Sequence, residues 1–134
     1  MRLGIVCSRF NEDITGRMKK AALATAAKLG ARVASIVEVP GVFDTPYAVQ
    51  LMLRKKGVDA VAVIGAVVKG ETDHDVLITT VAAERLAVLS LKFGKPVALG
   101  IVGPNATERQ AQARAEEYAE RAVRTALALG KMNV

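Results

Sequence analysis

Val58-Asp-Ala-Val-Ala-Val-Ile64 followed by Gly65-Ala-Val-Val-Lys-Gly-Glu-Thr-Asp-His-Asp75 is the stretch that decides the fold. Its first half is almost wholly apolar and of strand length, which reads as a strand, Val58 to Ile64, buried on both faces. Its second half reads as a strand-end loop with two glycines, a threonine, charged groups and the chain's only histidine, His74. A helical pattern follows from about Asp75 to Phe93, with Leu77/Ile78, Val81/Ala82, Leu86 and Leu89 spaced by three to four. A strand whose carboxyl end leads into a helix start is half of a βαβ unit, and open α/β sheets bind ligands at that point.

The same unit recurs on both sides. Upstream, Leu3 to Cys7 is a short apolar strand, and Asp13 or Asn11 can cap a helix with Ile14, Met18, Ala21/Ala22, Thr25 and Leu29 on one face. Gly30 stops that helix. Arg32 to Val39 is the next strand, ended by Pro40-Gly41, and Val42-Phe43-Asp44 is a loop. Thr45-Pro46 starts a helix, with Thr45 as the cap, that ends at Lys55-Lys56-Gly57. Downstream, Val97 to Val102 is a strand and Gly103-Pro104-Asn105 a turn. Thr107 caps a last helix that runs to about Leu129. Lysine beside glycine closes all four helices, where a cation gains about 0.3–1 kcal/mol from the macrodipole.

Strict β-α alternation with short loops predicts one domain over residues 1–134: a three-layer α/β/α architecture on a four-stranded parallel sheet, order 2-1-3-4, as in flavodoxin-like folds. The last helix carries Ala111, Ala113, Ala115, Ala119, Ala122, Ala126 and Ala128, apolar nearly all round, and is expected to be buried against a second partner.

Composition narrows the function. The chain is 51% hydrophobic but only 4% aromatic, with a net charge of +6. The basic residues are scattered and not interleaved with aromatics, which argues against nucleic acid and suits anionic small molecules such as phosphate esters. One cysteine, Cys7, excludes an internal disulfide and a Cys-based metal cluster, and a buried inert thiol is expected. Gly4 to Cys7 is too short for a signal-peptide core, and no apolar run approaches the roughly 18 residues needed to span a membrane, so a cytoplasmic protein is expected.

Four loops meet at the carboxyl edge of such a sheet: Ser8 to Asn11, Gly41 to Asp44, Gly65 to Asp75, and Gly103 to Asn105. They hold two of the chain's three phenylalanines, Phe10 and Phe43. Each ring either covers an end of the core or stacks on a planar ligand. Gly70-Glu71-Thr72 opens a helix, where backbone N–H groups and a hydroxyl can cradle a phosphate, although the P-loop spacing and GxGxxG are both absent. His74 is either a solvated loop residue or a proton-transfer group. A metal site is not expected, because no second histidine accompanies it. Ser8 has no local base, so a nucleophilic triad is not supported.

Four motifs carry a family resemblance. Phe10-Asn-Glu-Asp-Ile-Thr15, Val39-Pro-Gly-Val-Phe-Asp-Thr-Pro46, Ile64 to His74 and Gln110-Ala-Gln-Ala-Arg114 resemble the lumazine synthases, the archaeal branch most closely, over nearly the whole chain. The resemblance implies condensation of 5-amino-6-(D-ribitylamino)uracil with 3,4-dihydroxy-2-butanone 4-phosphate to 6,7-dimethyl-8-ribityllumazine. This is the penultimate step of riboflavin biosynthesis, with release of phosphate and water and no cofactor.

By the same resemblance, Phe10 stacks on the pyrimidine with Asn11 beside it, and Val42, Phe43 and Asp44 hold the ring edge and ribityl chain. Val67 and Val68 contact the ring through their backbone. Gly70, Glu71 and Thr72 bind phosphate, and His74 transfers protons. Arg114, as a phosphate ligand, and Leu99, where many relatives have Phe, come from the adjacent subunit of a pentamer.

The chain departs from many relatives in three places. Asp75-Val76 follows the histidine, strand one starts near residue 3 with no strand before it, and Glu116-Glu117-Tyr118-Ala119 replaces a glycine-containing kink. The last two favour a pentamer over a sixty-subunit shell. Two alternatives remain open: an archaeal-type riboflavin synthase, and a non-catalytic flavin- or lumazine-binding shell protein.

Overall fold

The computed structural model describes residues 1–134. In chain order the elements are β1 (Arg2–Ser8), α1 (Glu12–Lys28), β2 (Arg32–Val39), a 3₁₀ turn (Val42–Asp44), α2 (Thr45–Leu53), β3 (Ala60–Val68), α3 (His74–Phe93), β4 (Val97–Ala106) and α4 (Glu108–Gly130). All strand pairs are parallel and the sheet order is β2-β1-β3-β4, as the alternation predicts.

The sheet separates two apolar layers. Leu3, Ile5, Ala62, Ile64 and Ala98 face α1 and α4, whereas Val6, Val61, Val63 and Ile101 face α2 and α3. Alternate side chains of a strand point to opposite faces, so continuous apolar runs such as Ala60–Ile64 supply both cores. β2 is an edge strand and its residues alternate between exposed and half-buried.

α4 differs from the expectation. Its alanines are not a belt around the helix: Ala111, Ala115, Ala119, Ala122 and Ala126 form one buried stripe, and Ala113 and Ala128 are exposed. Arg109, Arg114, Glu117, Glu120, Arg121 and Arg124 make up the outer face. The small side chains serve close approach to the chain's own sheet. A Cβ added at Gly100 would lie 2.8 Å from Ala122 Cβ and 3.0 Å from both Tyr118 O and Val63 O. Gly100→Val must therefore push α4 off β4, and a loss of roughly 1–3 kcal/mol or more is expected in denaturant unfolding.

Several ends also differ from the sequence reading. α2 stops at Leu53, and its last carbonyls are bonded by Lys95 from the link before β4, with Nζ 3.0 Å from Leu53 O and 2.9 Å from Lys55 O. Thr45 is not a cap: its hydroxyl donates to Val42 O at 2.7 Å, and Asp44 holds the cap position. Thr107 does cap α4, its Oγ1 accepting from the Gln110 N–H while Gln110 Oε1 accepts from the Thr107 N–H. Gly30 and Gly94 end α1 and α3 with φ of 73° and 63°, the left-handed conformation that glycine adopts without strain.

β3 and β4 run further than expected. β3 continues through Gly65 to Val68, and β4 through Gly103-Pro104-Asn105 to Ala106. Ala66 pairs with Val102 and Val68 with Ala106, so β4 carries two extra residues in that interval. The bulge holds a cis Gly103–Pro104 peptide and two positive-φ residues, Gly103 and Asn105. The Lys69 N–H then donates to Ala106 O at 2.8 Å.

Candidate active site

The carboxyl ends of β1, β2 and β3 open into a cleft of about 500 Å³. One wall comes from the loops after β1 and β2. The Arg9 N–H donates to Val39 O at 2.8 Å and the Phe10 N–H to Pro40 O at 3.0 Å, which pins the β1 loop to the end of β2. The Phe10 ring stays 70% exposed and the Phe43 ring 56% exposed, both on the cleft wall. Neither ring fills a core, so the ring-stacking reading is the one their placement supports. Val42 is buried beneath them.

Asn11 has a different local role from the expected cap. It holds the position before α1 with φ 63°, yet its side chain caps nothing there. Its Nδ2 instead donates to Ala66 O at 2.9 Å, tying the β1 loop to β3 across the cleft floor. Ala66, Val67 and Val68 form that floor.

The far wall is the start of α3. Gly70 and Thr72 line it, and His74 is its first helical residue, exposed to the cleft. No side chain caps this helix: Asp73 stands at the cap position, and its carboxylate lies 3.7 Å from Lys69 Nζ instead. The positive end of the helix dipole thus faces the cleft, and the His74 N–H is held there only by a long 3.4 Å bond to Thr72 Oγ1.

Four expected residues lie elsewhere. Glu71 is exposed and off the lining. The Asp44 carboxylate accepts from the Gly41 N–H at 2.9 Å and shapes the 3₁₀ turn rather than the cleft. Leu99, on the edge strand β4, lines a separate depression with Thr79, Thr80 and Pro104. Arg114 is on the outer face of α4, exposed and without an ion pair within the chain.

Gly41, Ala66, Asp75 and Ile78 complete the lining and are absent from the expected set. Helical spacing was the available signal for Ile78, which falls four residues after His74. Asp75 is buried, and its Oδ2 accepts from the Asn105 N–H at 2.8 Å. That bond is the main reason its carboxyl sits below the usual aspartate value.

Cys7 is buried in β1, and burial pushes its thiol up to about 11, so it stays protonated at neutral pH and is a poor nucleophile. No three His, Cys, Asp or Glu side chains are grouped to hold a metal ion. No helix is long and apolar enough to cross a membrane.

Fold and site together define a class: an α/β protein with a strand-end cleft lined by two exposed phenyl rings, a helix start and an exposed imidazole. Sequence comparison narrows it. The family model described as 6,7-dimethyl-8-ribityllumazine synthase matches residues 1–133. The chain is 49% identical over 129 residues to the 6,7-dimethyl-8-ribityllumazine synthase of Saccharolobus islandicus, covering 96% of this chain and 84% of the relative. It is 48% identical over 132 residues to the protein of that name from Aeropyrum pernix (98% and 90% covered) and 46% over 131 residues to that from Metallosphaera sedula (98% and 87%). The chain belongs to the 6,7-dimethyl-8-ribityllumazine synthase family, and is thereby an enzyme, a transferase of riboflavin biosynthesis acting on small molecules.

Proposed function

We propose that this chain, a single domain working in the cytoplasm as a homopentamer, condenses 5-amino-6-(D-ribitylamino)uracil with 3,4-dihydroxy-2-butanone 4-phosphate. The observation that carries the reading is the cleft itself, which sets the exposed Phe10 and Phe43 rings opposite an uncapped helix start and His74. The pyrimidine stacks on Phe10 and meets backbone groups of Val67 and Val68. The phosphate sits at Gly70-Glu71-Thr72 on the α3 N-terminus. Holding both reactants in one cleft converts a bimolecular encounter into an oriented one, which can supply much of the acceleration.

The amine attacks the ketone, and the carbinolamine loses water to give an imine. Phosphate then leaves, and attack of the ribitylamino nitrogen on the remaining carbonyl closes the ring with loss of a second water. Each step moves a proton, and His74 is the only side chain on the cleft whose ordinary pKa lies near neutrality.

Leu99 and Arg114 lie off this cleft in the same chain. In the proposed pentamer they reach a neighbour's cleft, so each site is shared. Leu77, Val88 and Leu91 on α3 are exposed apolar side chains on the same flank as Leu99, a surface suited to burial between subunits. Further assembly of pentamers into a shell is the alternative.

Purified protein given both substrates should form lumazine absorbance with one phosphate released per turnover. Absence of both would overturn the proposal. Lumazine supplied alone should give no riboflavin; riboflavin from it would mark a riboflavin synthase instead. Native mass measurement separates five subunits from sixty.

A further inference from the structure

Ile78 lines the cleft, and the function proposed above gives it no part. It is half-buried and packs on the apolar layer that holds Val42, Leu86 and Ile101. A β-branched side chain backed in this way has little freedom to turn aside. It falls four residues after His74, so the two share one face of α3, about 6 Å apart along the helix axis. One turn further on, Ala82 is fully buried and off the lining, so the α3 wall of the cleft ends at Ile78.

The rest of that wall is polar or has no side chain: Gly70, Thr72, His74 and Asp75. The other apolar groups of the cleft come from the β1 and β2 loops and from β3. A ketone with a phosphate at one end and a methyl at the other has the same order of chemistry as this wall. With the phosphate at Gly70 and Thr72 and the carbonyl beside His74, the methyl points along the helix. An extended four-carbon chain with its ester oxygen spans roughly 5 Å, which brings that methyl up to Ile78.

We propose that Ile78 is a specificity-determining residue that limits the carbon chain of the ketone substrate at its methyl end. The proposal rests on the function given above and adds a limit on the second substrate. A methyl group buries itself against the isoleucine. An ethyl group in its place must displace a side chain backed by the core or lift the phosphate off the start of α3. The aminopyrimidine, stacked on Phe10, is outside this limit.

Ile78→Ala tests this with two ketones: the butanone phosphate and its homologue carrying an ethyl in place of the ketone methyl. Each is given with the aminopyrimidine, and lumazine absorbance is followed. In the unsubstituted protein the homologue should have a kcat/KM roughly 10–100-fold below that of the butanone phosphate, the usual worth of one methylene in an apolar pocket. Equal values for the two ketones would overturn the proposal. Ile78→Ala should narrow the ratio about 10-fold, raising kcat/KM for the homologue and lowering it for the butanone phosphate, with KM for the aminopyrimidine unchanged. A merely structural role would move both ketones together, and an unchanged ratio overturns the proposal. If Ile78→Ala does not fold, Ile78→Val removes one methylene and puts the same question to the ratio. Failure of the proposed function reads differently: the unsubstituted protein would then make no lumazine from the aminopyrimidine and the butanone phosphate.

Discussion

Replacing His74 with alanine should lower kcat by roughly 100-fold, at the lower end of what positioned acid–base groups supply, while Tm stays unchanged. His74 is exposed at the first position of α3, and its backbone N–H makes a long bond to Thr72 Oγ1, at 3.4 Å. Alanine keeps that N–H and is a strong helix former, so the cleft and the phosphate cradle survive. KM for both substrates should therefore move little. Stopped-flow lumazine formation with saturating substrates reads the change in rate, and thermal unfolding checks the fold. Near-wild-type turnover would remove the proton-transfer role and leave positioning as the whole source of acceleration.

The second large effect is expected at Arg114. Its guanidinium is exposed on α4, with no carboxylate partner in its own chain and no place on its own cleft. A charge-assisted bond to phosphate from a neighbouring subunit is worth about 1.5–3 kcal/mol, so Arg114→Ala should raise KM for the butanone phosphate roughly 10–100-fold and hardly change that for the aminopyrimidine. Equal effects on both substrates would count against a phosphate role. Co-expressing Arg114→Ala with His74→Ala tests where the residue acts. If each site takes His74 from one chain and Arg114 from the next, some sites in mixed oligomers regain both groups, and activity rises above the sum of the two variants. No rise would place both residues in sites built by one chain.

Much of the frame was legible because its signals are local. The apolar runs at Leu3–Cys7 and Ala60–Ile64, the glycines at 30 and 94 and the Thr107 cap each act within a few residues, and all appear in the structure where the pattern places them. The ends of β3 and β4 were less legible. Gly65 and Gly103 read as strand terminators, yet both allow close packing inside or beside the sheet. A Cβ at Gly65 would meet Ser8 Oγ at 2.5 Å and Val42 at 2.8 Å, and one at Gly103 would meet Val67 O at 2.7 Å. A glycine needed for contact and a glycine needed for a turn look alike in one dimension.

The site was legible in part for the same reason. Residue types marked Phe10, Thr72 and His74, and the family resemblance added Val67 and Val68. Asp44 carries the right chemistry but its carboxylate is taken by the Gly41 N–H at the surface. Asp75 carries no signal in the sequence, because a carboxylate in a first helical turn is normally a solvated partner of the dipole. Its burial depends on the bulge of β4, about thirty residues away, folding back over it.

The sequence by itself determined the order of strands and helices, the parallel sheet, the four loops that share one edge, and the family. These follow from periodicity and from short-range punctuation, and neither depends on what lies opposite. Only the tertiary structure decided that Asn11 ties β1 to β3 instead of capping α1, that the α4 alanines serve the chain's own sheet, and that Arg114 and Leu99 stand away from the cleft. It also buried Asp75 under the β4 bulge, with Oδ2 on the Asn105 N–H. Those outcomes depend on which backbone groups arrive across the sheet, and that is settled by packing between distant segments.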